Sequence, residues 1–389
     1  MNIDEVKQPK RRFAVAESSN LDIQSYGANN NYPQMVSLVL ATSTNAKGCA
    51  RTYAKFIRGN GFKDNVFYRS LVNYKRQTCD MLLRLCSEDL AVYGGFALHL
   101  NYNALAEIVS VEHVPFENCR LGIDDDKGYV PKIAVHPDWI GTRAKKRYKA
   151  PSKSSIDYID VFNPNREVVF SQIVAAGGIE EYKGQVLYVS TAGEMKYPTA
   201  IYDSALTDIS TDEGLANVRY RNTRNNFLPM GMYAYRKGQK VMAQDKDGNW
   251  IEGTEYQNGF DIEKFKDFQG DTESCKIIGV GLEDGDEVPQ FVEFPTKNFD
   301  KEFSVTKDTV AESIYAAFNQ EVFYRIRSGA LGFSNDIIND AFTYYNAMTS
   351  DERIVIEQSF KSVFSHFVEG ICPSNDYSLN PLTYAVQSV

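Results

Sequence analysis

The chain has 389 residues, of which 43% are hydrophobic and 24% charged, and its formal net charge is −9. This length and balance indicate a folded protein with a substantial core, and they exclude a small disulfide-stapled module and a largely disordered chain. The negative charge argues against a protein that holds DNA by neutralising phosphates, because such binding needs clustered Lys and Arg.

No long apolar run suggests a membrane span, and the first twenty residues lack the apolar segment of a signal peptide. We therefore expect a protein that is made in the cytoplasm and has no membrane partner. The cysteines form no Cys-x-x-Cys pair, a pattern typical of reduced thiols. The six are Cys49, Cys79, Cys86, Cys119, Cys275 and Cys372.

The first elements predicted along the chain are an arm and two helices. Residues 1–29 lack apolar periodicity at their start, and we expect order to begin near Tyr26. A first helix starts at Pro33, which suits an opening helical turn, and Thr44 is placed to cap a second. Gly59 then offers the left-handed residue that ends a helix.

A sheet follows a third helix, which we predict over residues 71–93. After Gly94 the apolar residues alternate over residues 96–102, and a return strand over 108–114 stops at Pro115, which predicts a hairpin. Further short strands are predicted at 120–123, 133–136, 156–162 and 185–189. Residues 94–195 should therefore form a mixed, mostly antiparallel sheet.

Two long helices are predicted around a small insert. Residues 198–225 regain helical spacing, with acids in the first half and arginines in the last turns, which suits the helix dipole. A second long helix spans residues 301–327 and closes at Gly329. Between them, residues 230–294 read as strands with a short helix near 261–268.

The chain ends in two more helices and a tail. We predict helices over residues 334–348 and 351–369, and Thr349 and Glu352 have the spacing of a capping box for the second. The tail after Gly370 is expected to be ragged.

Glycine, acid and histidine patterns give little sign of catalysis. Gly279, Gly281 and Gly285 suggest a phosphate loop, but the acids around them would repel phosphate, so we favour a strand and turn. Those acids are Glu283, Asp284, Asp286 and Glu287, and a solvated loop suits them better than the metal site of a nuclease. The four histidines, His99, His113, His136 and His366, lack the spacing of metal ligands, although His99 and His113 could face each other across the hairpin.

Two further charged runs have simple structural explanations. Asp124, Asp125 and Asp126 begin like a calcium loop but lack the glutamate that closes it, which favours a hairpin turn. The basic run over residues 143–149 lacks the interleaved aromatic residues of a nucleic-acid site, so we interpret it as an exposed loop. We assign no catalytic residue, metal or cofactor.

Several segments in a shared order resemble the portal proteins of tailed bacteriophages, especially the shorter members from phages with long flexible tails. The resemblance extends over about residues 30–370. The similar segments are YP at 32–33, IRGNGF at 57–62, YGGF at 93–96, VPF at 114–116 with Arg120, NNFLP at 225–229 and GFSN at 332–335.

The resemblance implies an α+β portal-like fold and a domain order. Under it the chain has a flexible N-terminal arm, an α/β wing, a helical stem in two parts around a small α/β clip, a tunnel-loop region with C-terminal helices, and a tail. The arm is 1–29 and the wing is 30–197. The two parts of the stem are 198–225 and 298–328, and the clip between them is 226–297. The tunnel-loop region with the C-terminal helices is 329–370, and the tail is 371–389.

The resemblance also implies a function without catalysis. Portal proteins form dodecameric rings at one capsid vertex, and a head-to-tail contact that closes makes a ring. The expected partners are the terminase large subunit, a head-tail adaptor, the major capsid or scaffolding protein, and double-stranded DNA in the channel. The protein would then be part of the virion, and an acidic wall would let DNA pass without trapping it.

Site residues follow from the same analogy. We assign Asn335, Asp336, Asn339, Thr349 and Ser350 to the DNA channel. We assign Glu283, Asp284, Asp286 and Glu287 to docking at the clip. Two alternatives stay open: a metal-dependent nuclease that uses this acidic loop, and another capsid or tail structural protein.

Overall fold

The computed structural model contains both helices and strands, and it belongs to the α+β class that the sequence predicts. The structure describes residues 15–18, 20–140, 151–193, 195–225, 231–236, 240–244, 246, 248–256, 277–282, 299–368 and 376–384. The chain separates into two compact units. One consists of Met1–Ser210 and Val310–Val389, and the other of Thr211–Thr309.

Four helices precede the main sheet of the first unit, and local signals explain how the second of them begins and ends. They are α1 (Tyr32–Thr42), α2 (Thr44–Arg58), α3 (Asn65–Arg69) and α4 (Cys79–Tyr93). The Ser43 hydroxyl accepts a hydrogen bond from the Ala46 amide, so Ser43 caps α2, not Thr44 as predicted. Gly59 ends α2 with a positive φ of 59°, as its sequence position indicates.

The helix predicted before the sheet is shorter than expected, because it begins at Cys79 and not at Leu71. Leu71 and Tyr74 are 48% and 80% exposed, so their helical spacing does not mark a buried face. The segment instead covers one edge of the sheet, where the Val111 amide donates to the Val72 carbonyl at 2.8 Å. The spacing of apolar residues in the sequence was not sufficient to distinguish this loop from a helix.

The first unit contains a six-stranded sheet with the order β4-β3-β8-β7-β6-β5. Its strands are β3 (Gly95–Tyr102), β4 (Ile108–Val114), β5 (Cys119–Leu121), β6 (Lys132–Val135), β7 (Asp157–Val161) and β8 (Gln185–Ser190). Neighbouring strands are antiparallel except β7 and β8, which are parallel. The predicted mixed, mostly antiparallel sheet is confirmed.

In the hairpin of β3 and β4, strand β3 is mostly buried and β4 is the edge strand of the sheet. Leu98 and its neighbour Ala97 are both fully buried, so β3 is covered on both faces. The register pairs Leu98 with His113 and His99 with Glu112. The two histidines therefore do not face each other, and that expectation was wrong.

Helix α5 (Arg166–Ala176), which we did not predict, connects the two parallel strands. Parallel neighbours need such a crossover, because a tight turn cannot join them. The Asn165 side chain caps α5 by accepting from the Glu167 amide, and Gly177 ends it in the left-handed conformation. Val169 and Ile173 are its buried residues.

Order extends further at both ends than the sequence indicated. Strands β1 (Val15–Ser18) and β2 (Ile23–Tyr26) pair within the expected arm, and Tyr26 is fully buried. Near the other end, residues 376–384 pack against the end of α2, where the Asn60 amide donates to the Asn380 carbonyl at 2.8 Å. This part of the tail is ordered, contrary to prediction.

Both predicted long helices are interrupted or shortened. The first was predicted to begin at residue 198, but the observed helix is α6 (Leu206–Asn225), which follows a 3-10 turn over Asp203–Ala205. The second is broken into α7 (Phe299–Ala317) and α8 (Glu321–Arg327). Asn319, which has a φ of 54°, lies at the break.

Both predicted C-terminal helices are present, but the second ends at Phe364, before the predicted end at residue 369, and the predicted capping is wrong. They are α9 (Asn335–Met348) and α10 (Ser350–Phe364). Ser334 caps α9 by accepting from the Ile337 amide, whereas the Thr349 hydroxyl donates back to the Tyr345 carbonyl. The predicted capping box of Thr349 with Glu352 does not form.

The second unit contains four described strands in two pairs. These are β9 (Gly231–Arg236), β10 (Lys240–Gln244), β11 (Trp250–Tyr256) and β12 (Ile277–Leu282). Strands β10 and β11 form an antiparallel pair, and β9 and β12 a parallel one. The short helix predicted at 261–268 lies outside the described residues. No helix in the described part of the chain is long and apolar enough to cross a membrane.

Candidate nucleic-acid interface

An exposed segment follows α8 and leads into α9, in the region assigned to DNA. The chain turns in open surroundings at Gly329, whose φ is 81°, and Gly332 follows beside the Ile337 side chain. Phe333 is 74% exposed, an unusual state for so large an apolar side chain. The segment therefore presents a large apolar side chain outside the core.

Helix α9 is held by one narrow face. Ala341 and Tyr345 are its buried residues. The Tyr345 hydroxyl donates to the Phe318 carbonyl at 2.9 Å and accepts from Gln320 Nε2 at 2.7 Å. Gln320 Nε2 also donates to the Cys49 carbonyl, so the break between α7 and α8 is fastened to both α2 and α9.

A buried arginine fixes the corner between α9 and α10. The Arg353 guanidinium donates to Thr349 Oγ1 at 2.8 Å, to the Phe56 carbonyl at 3.1 Å and to the Asn346 carbonyl. Burial lowers the pKa of Arg353, and the neighbouring carboxylates of Glu357 and Glu352 oppose that shift. The corner is therefore a structural joint within the protomer.

The structure separates the five residues assigned to the channel. Thr349 is buried and bound to Arg353, so its side chain is not available to DNA and that assignment was wrong. Asn335 and Asp336 are exposed at the start of α9. Asn339 and Ser350 are partly exposed, and the Ser350 hydroxyl donates to a carbonyl one turn back.

Helix α9 carries negative charge in its first half and no positive charge. Asp336 and Asp340 are exposed, and the sequence of the helix contains no Lys or Arg. A surface of this kind repels phosphate and does not gain the counterion release that makes DNA binding tight. Any contact of α9 with DNA is accordingly loose.

The residues assigned to docking at the clip, Glu283, Asp284, Asp286 and Glu287, lie outside the described residues. The glycines before them, Gly279 and Gly281, belong to strand β12, which agrees with the strand interpretation. Elsewhere in the described ranges, no group of three His, Cys, Asp or Glu residues could hold a metal ion. The basic run over residues 143–149 also lies outside the described residues.

The first unit contains a further buried polar residue, Arg120. In the sequence it was noted only as part of the family resemblance. Arg120 is fully buried between the rings of Tyr26 and Trp139. It donates to the carbonyls of Glu117 and Cys119 at 2.9 and 2.7 Å, and to further acceptors on Asn30 and Gln34. We call this arrangement the Arg120 cage.

In the Arg120 cage, neutral hydrogen-bond acceptors surround the positive charge of the guanidinium. Burial lowers the pKa of Arg120, and the phenol of Tyr197 opposes that shift. The Tyr197 hydroxyl donates to the Gln24 carbonyl and accepts from the Leu121 amide of β5, and so joins the N-terminal hairpin to the sheet. The cage is thus a structural joint and not a ligand site.

A basic cleft with a volume of about 700 Å³ lies between α1, α2 and α4. Its rim carries Lys47, Arg51 and Lys55 at four-residue steps on α2, with Arg58 one turn on and Arg84 on α4. Its floor is apolar and is formed by Leu40, Ala41, Ala50, Ala54 and Val92. The four-residue spacing of the cations was visible in the sequence, but we did not interpret it.

Comparisons with known proteins give structural matches alone. No protein-family model matches the chain, and no curated protein matches it. Solved structures similar to it include a chain of the virion of a native gene transfer agent (GTA) particle, with 11% identity and a TM-score of 0.49 over 85% of this chain and 81% of that chain.

Two further matches come from the necks of GTA particles. The neck of the empty particle, computed with C6 symmetry, has 11% identity and a TM-score of 0.49 over 87% of this chain and 83% of that chain. The neck of the native particle, computed with C12 symmetry, has 12% identity and a TM-score of 0.49 over 85% and 81%.

Proposed function

We propose that this chain is a portal protein: a subunit of a closed ring at one vertex of a phage capsid, through which the genome is packaged and ejected. The ring is a dodecamer, located in the virion. Its partners are the terminase large subunit, a head-tail adaptor, the major capsid or scaffolding protein, and double-stranded DNA. The chain performs no catalysis and needs no cofactor.

The single observation that best supports this proposal is where the chain divides. The second compact unit, Thr211–Thr309, starts within α6 and ends within α7. Both chain ends contribute to the other unit. A small unit inserted between two long helices is the order that the sequence resemblance implies for wing, stem and clip.

The surface of α9 supports a conduit more than a DNA-binding protein. Its exposed acids and lack of cations allow double-stranded DNA to pass without tight binding. Under the proposal, Asn335, Asp336, Asn339 and Ser350 remain candidates for the channel wall. The acids at 283–287 remain the candidate docking surface for terminase and adaptor.

The experiment that tests the proposal is the mass and symmetry of the purified protein, measured by light scattering and by negative-stain class averages. We expect a closed ring with a central hole and about twelve subunits, because a repeated head-to-tail contact closes into a ring. A compact monomer or dimer at high concentration would contradict the proposal.

A nuclease assay tests the alternative that the protein is a metal-dependent nuclease. A nuclease that used the acidic loop would cleave DNA only with a divalent metal ion, and would lose activity in Glu283→Gln and Asp284→Asn variants. We expect no metal-dependent cleavage by the wild-type protein. Another capsid or tail structural protein would instead form an assembly without a DNA-sized channel.

A further inference from the structure

The basic cleft combines unpaired cations with an apolar floor. Lys47, Arg51 and Lys55 are exposed, and none forms an ion pair with a carboxylate of the described residues. Such a cationic face is unexpected in a chain with a net charge of −9. Cations around apolar surface suit a ligand that is apolar in its centre and acidic at its ends.

The shape and lining of the cleft favour a protein ligand over DNA. It is a depression between three helices with an apolar floor, which suits apolar side chains and not the phosphate backbone of a duplex. Aromatic platforms for bases are also missing among its lining residues, where Tyr93 is the single aromatic side chain.

A matching surface occurs on helix α5 of the same chain. Phe170 and Val174 lie one turn apart on its outer face and are 42% and 78% exposed. Glu167 precedes them on the same face, and Glu180 and Glu181 follow the helix. These three acids are exposed and form no ion pair with a described cation. We call this surface the acidic α5 face.

The two surfaces also agree in length. The cation row from Lys47 to Arg58 extends roughly 16 Å along α2, at about 1.5 Å per residue. Helix α5 itself extends about 16 Å by the same rise. One helix can therefore lie along the other, with Phe170 and Val174 over the apolar floor.

We propose that the basic cleft of one copy binds the acidic α5 face of a second copy. This inference rests on the proposed function, because a contact between two different surfaces of one chain is the heterologous kind that closes into a ring. It specifies which surfaces make that contact. Each protomer then presents a cleft on one side and an α5 face for the next protomer.

Charge reversal tests the proposal in two chains that differ at opposite surfaces. The cleft variant carries Arg51→Glu and Lys55→Glu, and the helix variant carries Glu180→Lys and Glu181→Lys. All four side chains are exposed, so the fold should tolerate both variants. Each variant alone should need at least about tenfold more protein to assemble than the wild type, because like charges then meet in every contact.

A one-to-one mixture of the two variants gives the decisive result. In the mixture, the reversed cleft meets the reversed helix and the native cleft meets the native helix. Rings should therefore return with alternating subunits, and native mass spectrometry should find equal numbers of each chain. A control with Arg69→Glu and Lys361→Glu, which reverses two exposed cations outside the cleft, should assemble like the wild type.

Other outcomes would overturn the inference in distinguishable ways. If the wild type forms rings and both variants assemble normally, the contact lies elsewhere and the proposed function stands. If the variants fail to assemble and their mixture fails too, the two surfaces do not meet. If the cleft variant assembles normally but loses binding to a DNA duplex, the cleft is a DNA surface. A wild type that stays monomeric contradicts the proposed function and the inference together.

Discussion

The Arg120 cage and helix α9 use buried polar groups for different purposes. In the cage, a fully buried guanidinium joins the loop before α1, α1 itself and the sheet through several hydrogen bonds. In α9, Tyr345 and its partners hold a helix whose buried residues are Ala341 and Tyr345 alone. The first region should determine whether the unit folds, and the second should leave surface free for other molecules.

The largest expected effect comes from breaking the cage. Arg120→Met should lower the free energy of unfolding by about 2–4 kcal/mol, because several buried acceptors lose their donor. Denaturant unfolding at a fixed protein concentration measures the change. Arg69→Met, which alters an exposed arginine, is the matched control and should shift stability by less than about 0.5 kcal/mol. An equal effect of the two substitutions would refute the structural role of the cage.

The pH dependence of stability sharpens the same contrast. Burial raises the pKa of the Cys119 thiol from 9.0 to about 12. Between pH 9 and 12 the folded state therefore keeps a proton that the unfolded state releases, so stability falls as pH rises through this window. The contribution of this thiol is about 1.4 kcal/mol per pH unit.

Unfolding free energies of the wild type and Cys119→Ala at several alkaline pH values isolate this contribution. The variant should show a shallower decline by that amount, while the buried tyrosines keep their share in both proteins. Parallel declines of the two proteins would mean that water reaches the thiol, and that this part of the sheet is not a dry core.

The anchor of α9 should have a smaller effect than the cage. Tyr345→Phe removes the hydroxyl that binds the Phe318 carbonyl and Gln320, and should cost about 1–2 kcal/mol. Tyr344→Phe, one residue earlier and 46% exposed, is the control and should be close to neutral. Thermal unfolding of both variants measures the difference. If Tyr344→Phe costs as much, α9 is not held by one face.

The smallest expected effect is at the cap of α9. Ser334→Ala removes the acceptor for the Ile337 amide and should cost about 1 kcal/mol, whereas Ser334→Asp should keep most of the stability. Amide hydrogen exchange in the first turn of α9 should speed up in the alanine variant alone. Unchanged exchange there would show that tertiary contacts, and not the cap, hold the start of the helix.

Local signals in the sequence were sufficient for some elements. The hairpin of β3 and β4 was predicted because its residues alternate between two glycines and a proline, and each of these signals acts within a few residues. The C-terminal helices were predicted because their apolar residues repeat at helical spacing.

Other elements were missed because their signals were ambiguous. The buried stripe of α5 consists of Val169 and Ile173, which are β-branched and equally typical of strands. The residues from Leu71 to Tyr74 share a helical spacing with α4, yet they form a loop over a sheet edge. In both cases the deciding partner lies far away in the chain.

The candidate site was predicted in part. The sequence identified the polar start of α9, and Asn335 and Asp336 are exposed there. It did not show that Thr349 is enclosed by Arg353, because the hydroxyl is buried only when α9 and α10 meet at their corner. It also did not show that the cations of α2 border a cleft, since α1 and α4 form the other walls.

By itself, the sequence determined the α+β class, the sheet between two groups of helices, and the polar start of α9. These depend on periodicity, turn residues and charge, which are properties of short segments. Only the tertiary structure decided the break at Asn319, the burial of Arg120 and Thr349, and the basic cleft. Each of these arises where residues distant in the chain meet, and the physical reason is that burial and hydrogen-bond partners are set by packing.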